Sequence, residues 1–529
     1  MFVEDLKNDF YNVLLGNRVL LLVHYDVDAI CTCKILQGLF KSDNISYTLV
    51  PIGGISELKS AYQDNNEEIK YVVLINCGGT IDLVDILQPE ENVVFFVLDA
   101  HKPTNICNVY SVGQVRLVYR DNDEEIPNYE DLYSDDEDEE EDNVETETGR
   151  QGLEAAVERR RKKRAWEERR DTLMFKYTQF SYYGKPSCLV AVELSRLVSR
   201  WSPAVAWAAS AGAAAQEALC LRPPASTLLD NGVLHNNHQN QDASVQVVVE
   251  KDAWLPLYRS WSVEGALRHA PTMAPHLRLH TAAGGARLRQ LLADMGLPLR
   301  QARQRFGAMD VELRKGLVEA LEQAAQRMRL PPPTRAALLL RRTHRSTLAA
   351  LDLVYGIIAL IHHESMPAAE GFHVALRCLE IESGAEERTR AASAAQRALE
   401  AVARIVHGAL ASGALRLAGP FAYLIVGEGP DAWAVRGPTW LAIAARWVAP
   451  AVGARPLLAS VSIDADSCLL LGVPPNFTDE PRNLFGTAFE EAAAQSGVTL
   501  SMDYMDTSIV RLPTSQRAKF LDALTALLA

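Results

Sequence analysis

The chain has 529 residues, 48% of them hydrophobic and 23% charged, with a formal net charge of −14. That length is too great for one ordinary core and points to roughly two to four domains of a soluble globular protein. The eight cysteines include no CxxC pair, which argues against a disulfide framework or a zinc site and for a reduced, intracellular chain.

In chain order, Met1 to Phe10 carries three acids and no long apolar core, so no secretory signal is expected. The first strong element is Arg18 to Leu36, RVLLLVHYDVDAICTCKIL. Val19 to Val23 form an apolar run of strand length, suited to a parallel strand buried on both faces. Helical spacing then takes over with Ala29, Ile30, Cys33, Leu36 and Gln37. Cys31 and Cys33 lie on different sides of this helix and are expected to pack. Asp26 and Asp28 stand where strand hands over to helix, the place where open α/β sheets bind ligands. Such a pair could hold a hard divalent metal or face a phosphate-bearing ligand. Equally, Asp28 could cap the helix and Asp26 be a solvated loop residue.

Further strands are expected at Ser46 to Pro51, Tyr71 to Asn76, Asn92 to Leu98 and Val115 to Tyr119. Helical segments near Ser56 to Asn65 and Ile81 to Leu87 separate them. This alternation predicts a doubly wound, mostly parallel sheet. Three strands end in polar groups: Asp26-Val27-Asp28, Asn76-Cys77-Gly78-Gly79 and Asp99-Ala100-His101-Lys102-Pro103. Strand ends share one edge of such a sheet, so these groups are expected to converge on one crevice.

Residues 121 to 147 hold sixteen Asp and Glu and no Lys or Arg, and without those charges the chain stands at +2. Folded parts so near neutrality neither forbid nor announce a nucleic-acid surface. The acidic run Ser134 to Asp142 is expected to be disordered, with Ser134 a candidate phosphorylation site. The basic cluster Arg159, Arg160, Arg161, Lys162, Lys163 and Arg164 follows on helix-forming sequence. It reads as a solvated helix face, a nuclear-import signal or a nucleic-acid contact.

From about Phe175 to Leu330 the chain reads as helical. Its Ala-rich run from Ala204 to Ala215 is too short and too weakly apolar to span a bilayer, so no membrane contact is expected. Leu288, Leu291, Leu292 and Met295 form one core-facing stripe, and Leu313, Leu317, Ala320 and Leu321 another. His235 and His238 fall in an Asn/Gln-rich loop, where no metal is expected. Pro331 to Pro333 marks a boundary, and His362-His363-Glu364 reads as the capped, solvated end of an apolar helix. The last hundred residues return to mixed α/β. Strands are expected around Val461 to Ile463, Cys468 to Val473 and Thr507 to Leu512. A helix opening at Thr478 to Pro481 should bury Phe485, Ala488, Phe489 and Ala492, and a final helix should be capped by Thr514 or Ser515.

HYDVDA, INCG and DAHKP at the three strand ends resemble, in order and spacing, the first three motifs of the DHH phosphoesterases, which include the RecJ exonucleases. Together with CKILQGLF, YTLVPIGG, DILQP, YEDLY, LADMGLPL, AMD, NLFGTAFEEAA and KFLDAL, they more closely resemble the eukaryotic cell-division-cycle protein 45 family. These segments run from residue 24 to 524, and the Ala- and Arg-rich middle departs most. The resemblance implies a DHH-type sheet over residues 1–125, then an acidic run and basic helix over 126–170. Helical completion of the sheet domain follows over 171–225, a helical, partner-binding insertion over 226–415, and a smaller C-terminal α/β domain of DHHA1 type over 416–529. It also implies a nuclear replication factor without nuclease activity, associated with the minichromosome maintenance hexamer and the GINS complex in the replicative helicase. Single-stranded DNA is a further candidate ligand.

The residues bear on that inactivity. Two-metal hydrolysis needs several carboxylates and histidines to hold both ions. Where the phosphoesterase motifs carry Asp and His, this chain has Asn76 and Ala100, and a fourth-motif Asp aligns with Ala215. Asp26, Asp28, Asp99 and His101 remain. Asn76 is a poor bridge between divalent ions and Ala100 no ligand at all. The expectation is a vestigial site with no metal, no cofactor and no catalytic residue. The competing expectation is a one-metal nuclease or phosphoesterase.

Overall fold

A computed structural model of the chain describes residues 1–133, 150–222, 245–342, 347–475 and 481–529, with the backbone alone over 150–159. Three segments read from the sequence lie outside the described residues: the acidic run with Ser134, the stretch holding His235 and His238, and most of Thr478 to Pro481.

The first sheet has five parallel strands, β1 (Arg18–His24), β2 (Ser46–Ile52), β3 (Tyr71–Ile75), β4 (Val94–Leu98) and β5 (Val115–Leu117), in the order β2-β1-β3-β4-β5. Both faces of β1 are covered. Val19, Leu21 and Val23 enter one apolar cluster, and Leu20 and Leu22 another on the opposite side. On the first face pack α1 (Val27–Ser42), α5 (Ser187–Leu197) and α6 (Pro203–Ala218). On the second lie α2 (Ile55–Asn65) and α3 (Leu83–Leu87). This is the doubly wound arrangement, and its switch point falls between β1 and β3.

Small residues let α6 come close. A side-chain carbon on Gly212 would stand 2.6 Å from Cys188 Sγ and 3.1 Å from Asp28 Oδ1. Cys31 and Cys33 are both fully buried, as their packing role requires.

The long helix α4 (Arg150–Thr178) leads from the acidic run back to the sheet. Arg160 to Arg164 are exposed on it. Its C-terminal end is fastened by Tyr177, whose hydroxyl donates to Glu124 Oε1 and the Thr104 carbonyl, both at 2.8 Å. Glu124 also pairs with buried Lys102 at 2.7 Å.

The middle region departs from the all-helical reading. β6 (Val245–Ala253), β7 (Thr334–Arg342) and β8 (Leu348–Ala349) form an antiparallel sheet in the order β8-β7-β6. Short helices between residues 263 and 327 pack around Leu288, Leu291, Leu292, Met295, Leu317 and Leu321. Gly316 breaks the second expected stripe into two helices and leaves Leu313 half-buried. Helices α7 (Ala350–Ile361), α8 (Ala368–Cys378) and α9 (Ala385–Ser412) join the middle to the large core.

The C-terminal sheet runs β9 (Leu415–Ala418), β10 (Phe421–Val426), β11 (Leu457–Ser462), β12 (Ser467–Val473) and β13 (Ile509–Pro513), antiparallel except for the β10/β11 pair. Phe485, Ala488, Phe489 and Ala492 are buried as expected. Their helix starts at Phe485, however, where the Asn483 side chain accepts the Phe485 N–H. The last helix, Arg517–Leu528, has no side-chain cap, because a turn of 3-10 helix takes up Thr514 to Gln516. No helix among the described residues is long and apolar enough to cross a membrane.

The C-terminal region closes onto the first sheet. Asp503 accepts the Ile55 N–H on its carbonyl at 3.0 Å and the Ser56 N–H on Oδ1 at 2.6 Å, so it caps α2 from 447 residues away. Gly54 makes this approach feasible, since a side-chain carbon there would lie 2.1 Å from the Asp503 carbonyl oxygen.

Candidate functional site

The three polar strand ends do converge. They line a cavity of about 280 Å³ that also meets Ala215 on α6, Tyr183, His362 beyond α7 and Asp506 from the C-terminal region.

Asp26 and Asp28 have roles opposite to the simple capping reading. Asp26, not Asp28, caps α1: its Oδ1 accepts the Ala29 N–H at 2.8 Å, while Oδ2 lies 3.1 Å from His24 Nδ1. Asp28 sits in the first turn of α1, only 4% exposed. It caps a different helix. Its Oδ2 accepts the Ser187 N–H at 2.8 Å and its Oδ1 the Cys188 N–H at 3.0 Å, at the start of α5. A buried carboxylate at a helix N-terminus satisfies donors that have no partner within the helix and lies favourably in the helix dipole.

Asn76 closes this arrangement. It has a left-handed backbone, φ 50°, which asparagine tolerates better than most residues. Its Nδ2 donates to Asp28 Oδ2 at 3.0 Å and to Asp26 Oδ1 at 3.2 Å. Its Oδ1 accepts from Ser187 Oγ at 2.5 Å and from the Ala100 N–H at 3.3 Å. Donors on one side and acceptors on the other fix which way the amide points. Burial, reinforced by Asp26, raises the Asp28 carboxyl against the pull of the Cys188 and Asn76 donors.

Asp99 and His101 form a second buried unit. Asp99 Oδ1 lies 2.7 Å from His101 Nδ1 and accepts the His101 N–H at 2.9 Å, while Oδ2 accepts the Gly79 N–H at 2.8 Å. Burial alone would raise Asp99, but His101 outweighs it and holds the carboxyl below the usual range. Burial likewise works against the His101 imidazolium, yet Asp99 outweighs it, with Asp506 and Asp26 helping, and lifts it to about 9. The ring meets His24 edge-on at 6.0 Å and lies 5.0 Å from Tyr183, whose hydroxyl donates to Asp506 at 2.9 Å.

A pair of divalent ions fits these groups poorly. Every carboxylate oxygen of Asp28 and Asp99 already takes a protein N–H, and Asn76 turns its NH2 toward the aspartates where a bridging anion would be needed. Ala100 contributes a backbone N–H, and Ala215 a methyl group in the wall.

Several groups in the cavity were not foreseen. Ser187 and Cys188 could be anticipated as a helix start after Pro186, but their acceptor is 159 residues earlier. Tyr183 and Asp506 gave no local signal. His362 was expected to be a solvated terminus; instead it turns into the cavity, with Nε2 3.2 Å from Thr439 Oγ1. Burial, aided by His24, pulls its ring down to about 4. Arg160 to Arg164 do not line this cavity.

A family model described as CDC45 matches residues 19–154, 120–370 and 364–527. The chain is 34% identical over 571 residues to the Cell division control protein 45 homolog of Homo sapiens, with 100% of both chains covered. It is 25% identical over 614 residues to the homolog of Schizosaccharomyces pombe, covering 96% of each. The crystal structure of CDC45 from Entamoeba histolytica shares the fold at a TM-score of 0.74 and 18% identity over 100% of both chains. The chain therefore belongs to the CDC45 family, the cell division control protein 45 homologs that act in the initiation of DNA replication.

Proposed function

We propose that this replication factor is a non-catalytic subunit and activator of the eukaryotic replicative helicase, working in the nucleus. In this reading it bridges the minichromosome maintenance hexamer and GINS through initiation and elongation. The observation that carries the non-catalytic part is Asn76, whose amide ties Asp26 to Asp28 while Asp28 anchors α5. Carboxylates spent on holding two helices and a strand end together are not available to bridge two metals. The exposed Arg160 to Arg164 are suited to recognition by an import receptor.

Purified protein should capture both the hexamer and GINS in a pull-down, and loss of both associations would remove the reading. With manganese, it should hydrolyse neither single-stranded DNA nor a small phosphodiester. Hydrolysis abolished by the double variant Asp26→Ala, Asp28→Ala would instead favour a one-metal phosphoesterase.

Single-strand binding without cleavage belongs to the same proposal. Tyr25, Tyr183 and Arg446 line the cavity, the residue types on which a single strand stacks and by which its phosphates are neutralised. The expected result is anisotropy-measured affinity for an oligo-dT that falls as salt rises from 50 to 200 mM, as counterion release requires. Salt-independent affinity would rule out phosphate contacts.

A further inference from the structure

A second recess lies apart from the strand-end cavity, between the turn after α7, the start of α8 and one face of α9. It is an open groove of about 670 Å³. Arg390 and Arg397 on α9 are seven residues apart, two helical turns along one face, and both line it. Their neighbours have their charges taken up: Arg377 pairs with Glu387, Arg404 with Asp431, and Arg388 donates to the carbonyls of Cys378 and Glu380. Arg390 and Arg397 have no carboxylate partner among the described residues, and the polar neighbour of Arg397 is the His363 ring, 3.4 Å away. Partial burial lowers the His363 pKa, and Arg397 and Arg390 add to it against the opposing pull of Glu364.

Two guanidiniums without a carboxylate partner among the described residues, facing one recess, suit an oxyanion with several acceptor oxygens. Glu370 and Glu400 also line the groove, and they decide which oxyanion. A nucleic-acid strand carries a charge at every nucleotide and would press further phosphates against these carboxylates. A protein segment with one phosphate and a cationic neighbour places opposite charges on both pairs.

We propose that this groove docks a phosphoserine- or phosphothreonine-bearing protein segment with a basic residue beside the modified one. Arg390 and Arg397 take the phosphate, and Glu370 and Glu400 take the adjacent Lys or Arg. The site stands independently of the helicase reading, since it shares no residue with the strand-end cavity.

The test is fluorescence anisotropy of the full chain with a labelled phosphoserine peptide library carrying fixed flanking lysines. Its unphosphorylated twin and an oligo-dT serve as comparisons. The phosphorylated library should bind at least about tenfold more tightly than the twin, and Arg390→Ala and Arg397→Ala should each weaken it by about tenfold. Both arginines are exposed, so an unchanged thermal unfolding curve should accompany these losses. Ser393→Glu, which adds a carboxylate between them, should block binding as well. Glu400→Lys, which sets a like charge against the flanking lysines, should also weaken binding of the phosphorylated library. Equal binding of the twin, wild-type binding by all the arginine variants, no binding of the phosphorylated library, or an oligo-dT that binds in its place and is lost in the same variants would each overturn the proposal.

Discussion

Asp28→Ala is expected to lower the unfolding free energy by about 3–5 kcal/mol, whereas Asp26→Ala should cost only about 1 kcal/mol. The two carboxylates are two residues apart and of the same type, yet their surroundings differ. Removing Asp28 leaves the Ser187 and Cys188 N–H groups and one Asn76 proton facing a cavity in a water-poor interior. Removing Asp26 deletes the α1 cap, the His24 contact and the longer of the two Asn76 bonds, but on a side chain that is 30% exposed, where water replaces them. The comparison is made by urea denaturation followed at the first transition, because a chain with several separate sheets need not unfold in one step. Equal losses would mean that Asp28 does not tie α1 to α5.

Alkali should weaken the protein through His101. Its folded-state pKa of about 9 stands above the ordinary value of 6.5. The pair with Asp99 is therefore fully stabilising below pH 6.5, and that contribution is lost as pH rises through about 9. The shift corresponds to on the order of 3 kcal/mol. Asp99, held below its ordinary 3.8, gives the opposite limb: its contribution is present above that pH and is lost in acid. Urea midpoints between pH 6 and 9.5 should fall in the wild type and stay flatter in His101→Gln. Parallel curves for the two proteins would show that the buried pair is not the titrating element.

The sheet and its polar edge were legible because they rest on short-range pattern. The run from Val19 to Val23 could only be a strand covered on both faces, and β-branched runs with short helices between them leave few alternatives. Convergence of Asp26, Asn76 and Asp99 followed from topology. What could not be read was which acceptor serves which donor. Asp28 looked like the cap of its own helix, but the helix it caps begins at Ser187, and nothing local announces a partner so distant. The middle sheet shows two different failures. Thr334 to Arg342, TRAALLLRR, is built of helix-forming residues and becomes a strand only because β6 pairs along it, so tertiary context overrides propensity. Val247, Val248 and Val249 in β6 did carry a strand signal, a short one between an Asn/Gln-rich stretch and Glu250-Lys251-Asp252.

The fastening at the foot of α4 has a mechanical side. Twenty-nine helical residues extend about 44 Å. At their base Tyr177 is bolted to Glu124, which is itself paired with Lys102, and the Thr178 carbonyl accepts from Thr487 Oγ1 of the C-terminal region at 3.1 Å. An arm fastened at its base to both the N-terminal and the C-terminal regions would pass a pull on it to both. Any body that takes hold of Arg160 to Arg164 pulls with a long moment on the seam between the first sheet and the last. A shift at that seam would in turn swing the arm's far end through a much wider arc.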